Sequence, residues 1–137
     1  MTRFDDADAR RAFAAVLEDG EAIQTWAYGV EEPRWARLVP LLALRLTTHF
    51  LVGLTERRVV VLEVAPRAAD VLEAKAYDLE DAPSARLNAF RHKAYLAIED
   101  EARPFSAVFH WRGAPDNLGR VRAIADKLGA RHGKPGR

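Results

Sequence analysis

The stretch His49 to Val64, HFLVGLTERRVVVLEV, decides the fold. Two apolar runs rich in β-branched residues flank a polar break, Thr55-Glu56-Arg57-Arg58. Before the break Phe50, Val52 and Leu54 alternate onto one face, and after it Val60, Leu62 and Val64 do the same. Period-two alternation on both sides of a short polar break predicts a β-hairpin at the centre of a sheet.

Downstream, Pro66 to Asp70 reads as a turn and Val71 to Leu79 as the next strand. Arg86 to Phe90 follows, with Ala85, Leu87 and Ala89 alternating, then a tight polar turn at Arg91-His92. Lys93 to Glu99 continues with Ala94, Leu96 and Ile98 inward. Phe105, Ala107, Phe109 and Trp111 give the clearest alternation of the second half. Upstream, Ile23 to Val30 reads as a strand with Trp26 and Tyr28 on one face. Seven strands, short-linked after the first, predict an antiparallel sandwich or barrel.

Two helices frame this body. Residues 5–18 open with Asp5, Asp6 and Asp8, carboxylates that suit free N–H groups and the positive end of a helix dipole. Ala9, Ala12, Phe13, Val16 and Leu17 form a small apolar stripe, and Gly20 is placed to end it. This helix is expected to lie on the domain. Residues 115–130 begin with Pro115 and Asp116 and carry a continuous stripe of Leu118, Val121, Ile124, Ala125 and Leu128. That helix belongs to the core; Gly129 or Gly133 ends it, and 133–137 form a frayed basic tail. The expectation is one domain over 1–137, mainly β with helices (α+β), its β body spanning 21–113.

The segment Glu31 to Thr47 fits neither pattern. Pro33 and Pro40 interrupt it, and a helix cannot run through Pro40, which lacks the N–H and clashes with the preceding turn. A short helical turn and then a strand entering from about Ala43 is the expectation. Trp35, Leu38, Leu41 and Leu42 make this segment too apolar for a plain surface loop. Either it tucks under the sheet or it forms an interface with another chain.

Composition narrows the role. With 49% apolar and 30% charged residues and a formal net charge of +1, nothing pulls the chain as a whole toward nucleic acid or a membrane surface. The absence of cysteine excludes disulfides, thiolate metal sites and thiol nucleophiles. The start MTRFDDADARR is too charged for a signal peptide, and no run approaches about 18 apolar residues. A cytoplasmic protein without a transmembrane segment is expected.

Catalytic patterns are missing. His49, His92, His110 and His132 lack zinc-site spacing, and His49 and His110 read as strand residues. Ser84 and Ser106 sit in no nucleophile elbow, and the eight glycines build no phosphate-cradling loop. No enzyme, cofactor or metal is expected.

The order of seven short strands closed by one amphipathic helix resembles a pleckstrin-homology-like (PH-like) domain. More narrowly, FLVGLTERRVVVLEV and the strand ending Tyr77-Asp78-Leu79 resemble small bacterial PH-like domains of the YokE type, with Leu54, Thr55 and Arg58 matching the hairpin phrase. The resemblance spans about Glu21 to Leu128 and leaves the N-terminal helix as an addition. It implies a sandwich with the C-terminal helix plugging one corner, and an opposite corner where eukaryotic relatives bind phosphoinositide head groups. Arg34, Arg37 and Arg67 fall in the connections at that corner, diluted by Glu31, Glu32 and Asp70, and the Lys-xn-Arg-x-Arg pattern is absent. The resemblance also implies homo-oligomers in some relatives.

Two basic clusters are candidate anion sites: Arg34, Arg37 and Arg67, and the turn Arg91-His92-Lys93. The plainer reading of such a turn, and of Arg57 and Arg58, is a solvated hairpin end whose arginines pair with nearby acids. The leading expectation is a non-catalytic binding or scaffolding module acting through a protein partner or self-association. The alternatives are a small-molecule or lipid-binding cup of helix-grip type, and a peripheral binder of anionic membrane surface.

Overall fold

The hairpin forms where the alternation places it, and the rest of the sheet is laid down on either side. The computed structural model describes residues 4–31, 47–65 and 70–133. Strands β1 (Thr25–Glu31), β2 (Thr48–Leu54), β3 (Arg58–Val64) and β4 (Val71–Asp78) are followed by β5 (Ala85–Ala89), β6 (Lys93–Ile98) and β7 (Phe105–His110). Helix α1 (Asp6–Ala14) precedes them; helix α2 (Asn117–Lys127) and a two-residue strand β8 (Arg131–His132) follow. The sheet runs β4-β3-β2-β1-β7-β6-β5-β8. Every pairing is antiparallel except β5 with β8.

The chain is therefore mainly β, but its sheet is mixed and has eight described strands where seven antiparallel ones were expected. β8 escaped the sequence reading because two residues cannot show alternation. What sets it is the end of α2. Gly129 takes φ +70, its N–H bonds Asp126 O at 3.1 Å, and the Ala130 N–H bonds Ala125 O at 2.9 Å. This is a Schellman ending. It turns the chain onto β5, where the Gly133 N–H reaches Leu87 O at 2.8 Å.

Both faces of β2 and β3 are buried, so the two rows read from the hairpin serve different cores. Phe50, Val52 and Leu54 join Leu87, Leu96, Phe109, Ile124 and other residues in the main core inside the curled sheet. Val60, Leu62 and Val64 face the other way, against Phe4, Phe13, Trp26 and Tyr28 under α1. Helix α1 thus seals the outer face of the first sheet half, as a helix lying on the domain. The curl is visible where β4 meets the loop before β7: the Tyr77 hydroxyl donates to Arg103 O, and Lys75 Nζ reaches Pro104 O at 3.2 Å.

Both helices are shorter than the expected ranges of 5–18 and 115–130. Asp5 caps α1, accepting from the Asp8 N–H at 2.8 Å while the Asp8 carboxylate accepts from the Asp5 N–H. The helix stops at Ala14, well before Gly20, although Val16 and Leu17 still pack beneath it. At α2, Asn117 is fully buried and replaces a missing stretch of ladder between β1 and β7. Its Oδ1 accepts from the Tyr28 N–H, and its Nδ2 donates to Tyr28 O and His110 O, each at 2.8 Å. Gly53 lets α1 approach the sheet: a Cβ there would lie 2.6 Å from the Phe13 ring.

Candidate functional site

The polar turn of the β2–β3 hairpin is committed to structure. Thr55 Oγ1 accepts from the Arg57 and Arg58 N–H groups at 3.2 and 3.0 Å and donates toward Glu21 at 3.0 Å. Arg58 grips Glu21 with two parallel bonds, Nε to Oε2 at 2.8 Å and Nη2 to Oε1 at 2.7 Å. Only 8% of the Glu21 side chain and 17% of the Arg58 side chain are exposed. The Arg58 bonds, outweighing the opposing effect of burial, hold the Glu21 carboxyl down to about 2, and the same pair raises Arg58. Arg58 therefore pairs with an acid, and this guanidinium is not offered to an outside anion.

The β5–β6 hairpin is built differently. The Phe90 N–H bonds Lys93 O at 2.8 Å across the two-residue loop Arg91-His92. His92 O accepts from the Trp111 N–H at 2.9 Å, which ties the tip to the end of β7. Strand β7 ends at His110, so Trp111 leaves the alternation and stands 49% exposed, where the sequence pattern had placed it inward. The six-residue strand is spent before it reaches Trp111, and the chain turns there, the Gly113 N–H bonding His110 O at 2.9 Å. Arg112 lies 4.6 Å over the Trp111 ring, the His92 ring is 5.9 Å away, and Lys93 Nζ sits 5.7 Å over Phe90.

Arg91, His92, Lys93, Trp111 and Arg112 are all exposed at this end of the sheet. Arg91, Lys93 and Arg112 have no ion pair among the described residues. Beside them, on the outer face of β5–β7 left bare by α1, runs an open groove of about 600 Å³. Its walls are Asn88, Phe90, Arg91, Lys93, Ala94, Tyr95 and Val108. Tyr95 lies opposite Asn88 on β5 and Val108 on β7, so the ring forms the centre of the floor. The arrangement offers aromatic surface and two cations on one rim, which suits an extended ligand with acidic groups and apolar side chains.

The structure thus gathers Arg91, His92 and Lys93, and adds Phe90, Tyr95, Trp111 and Arg112. Sequence reading missed Trp111 by extending β7 one pair too far; the adjoining Arg112-Gly113 was the available signal. Arg34, Trp35, Arg37, Leu38, Leu41, Leu42 and Arg67 lie outside the described residues. The β2–β3 and β5–β6 turns reach the same end of the sheet but are separated by β1 and β7. A second depression, about 150 Å³ among Glu31, Phe50, Glu63, Glu73 and Lys75, lies away from α2, as does the groove. Among the described residues no group of three or more His, Asp or Glu could hold a metal ion, and no helix is long and apolar enough to cross a membrane.

No family model matches the sequence, and no curated protein does. Among solved structures the chain is similar in fold to the hSac2 domain from human phosphoinositide phosphatase Sac2. The match has a TM-score of 0.53 at 13% identity and covers 88% of this chain and 83% of that one. At that identity the likeness is one of fold alone.

Proposed function

We propose that this chain is a non-catalytic binding module of PH-like, YokE-type architecture that docks an acidic segment of a protein partner at the β5–β6–β7 tip. The single observation that carries the reading is the set of three cations without carboxylate partners among the described residues, Arg91, Lys93 and Arg112, around exposed Trp111 and the groove. Free cations steer an acidic segment to the site, and the rings supply the desolvated contact that holds it. The antiparallel order of β1 to β7 followed by α2 supports the PH-like part of the reading. An open groove suits an extended chain better than an enclosed small molecule.

The test is fluorescence anisotropy with a labelled peptide of alternating Glu and Phe, a Lys-Phe control peptide, and vesicles containing phosphatidylglycerol. Binding of the Glu-Phe peptide alone, weakened by salt and abolished in R91E/K93E, is the expected result. Equal binding of both peptides, or binding unchanged in that variant, overturns the reading. Binding to vesicles but to neither peptide would transfer the site to an anionic membrane surface.

A further inference from the structure

Strand β4 closes one end of the sheet and, among the described residues, has a strand neighbour on one side only. Its register with β3 tells which backbone groups are free. The Leu79 N–H bonds Arg57 O at 2.9 Å, so Leu79, Tyr77, Lys75 and Glu73 turn their backbone groups toward β3. Alternate residues of an antiparallel ladder turn the opposite way. Ala74 and Ala76 therefore present N–H and C=O groups outward, and a β-bulge lies next to Leu72. The side chains alternate with them. Leu72, 63% exposed, Ala74 and Ala76 form an apolar row on the outer face, while Glu73 and Lys75 lie on the other.

This edge is complementary to itself. A second copy pairing antiparallel must set outward-turned residues against outward-turned residues, so the two-fold axis falls on a β4 residue. An axis at Glu73 sets glutamate against glutamate, and one at Lys75 sets lysine against lysine. An axis at Ala74 sets Glu73 against Lys75 of the second copy, twice, and Leu72 against Ala76. These charged pairs fall at the non-hydrogen-bonded positions, where facing side chains are closest. Neither Glu73 nor Lys75 has an ion pair among the described residues; the Lys75 ammonium rests on the neutral Pro104 carbonyl.

We propose that two copies of this chain pair through β4, antiparallel and two-fold about Ala74, joining their sheets into one. The groove at the β5–β6–β7 tip belongs to the other half of the sheet, so this pairing stands or falls independently of ligand docking.

The absence of cysteine makes the axis directly testable. In A74C the two thiols face each other across a hydrogen-bonded pair, with Cα atoms about 5.5 Å apart, within disulfide range. In L72C they stand about 14 Å apart. Under mild oxidation A74C is expected to form a covalent dimer roughly tenfold faster than L72C at equal concentration. In parallel, light scattering should show a dimer for the unmodified chain. E73K and K75E should each shift it to monomer, and the exchanged E73K/K75E should restore the dimer. A monomer at all accessible concentrations overturns the proposal, as does a dimer indifferent to both single charge changes. Equal oxidation rates for A74C and L72C would also overturn it.

Discussion

Replacing Glu21 with Gln removes the charge around which Arg58 is arranged and leaves the side-chain volume almost unchanged. The carboxyl drops from 4.5 to about 2 in the folded chain, a difference worth about 3 kcal/mol by linkage. Arg58 keeps 17% of its side chain in water, and solvent screening brings the expected loss to about 2 kcal/mol. The folded value lies below the unfolded one. The contribution is therefore complete at pH above the unfolded value of 4.5, and it fades as pH falls toward the folded value. Urea denaturation of the unmodified chain and E21Q supplies the assay. The two should differ by about 2 kcal/mol near neutral pH and converge as pH approaches the folded value. R58M should be destabilised as well, and adding E21Q to it should cost far less than E21Q alone. A gap between the unmodified chain and E21Q that persists unchanged into acid would refute the electrostatic argument, as would no gap near neutral pH.

Other consequences follow from the packing. N117L removes three hydrogen bonds at once, two of them fully buried: the one from the Tyr28 N–H and those to the Tyr28 and His110 C=O groups. It should cost about 3 kcal/mol or more in denaturant melts. G53A drives a methyl group into the Phe13 and Ile23 side chains and should cost about 1–3 kcal/mol. Part of that loss should be recovered in G53A/F13L, as read by thermal unfolding. D5A breaks the capping box of α1 and should cost about 1 kcal/mol. Hydrogen exchange should then rise first in residues 6–14.

The strands were legible because their apolar residues alternate, and a curled antiparallel sheet needs that period. Where alternation stopped carrying information, the reading failed. Trp111 continues the pattern of Phe105, Ala107 and Phe109 but lies past the last ladder residue and stands exposed. β8 is too short to show any pattern, and it depends on the helix ending at Gly129. That β2 and β3 would be buried on both faces depends on α1 crossing them, a long-range fact that the local sequence does not carry. Arg58 was legible as an arginine that pairs with an acid. Its partner, Glu21, lies 37 residues away across a fold that had first to be known. Of the candidate site, Arg91, His92 and Lys93 were visible as a run of basic residue types; Tyr95 and Trp111 needed the register to bring them alongside.

The proposed binding surface is the β5–β6–β7 tip. Its most direct test is amide chemical-shift mapping of the labelled protein as the Glu-Phe peptide is added. Shifts concentrated in residues 88–95 and 108–112, saturating and reversed by salt, are the expected result. Shifts spread evenly over the sheet, or centred away from those two segments, would contradict it.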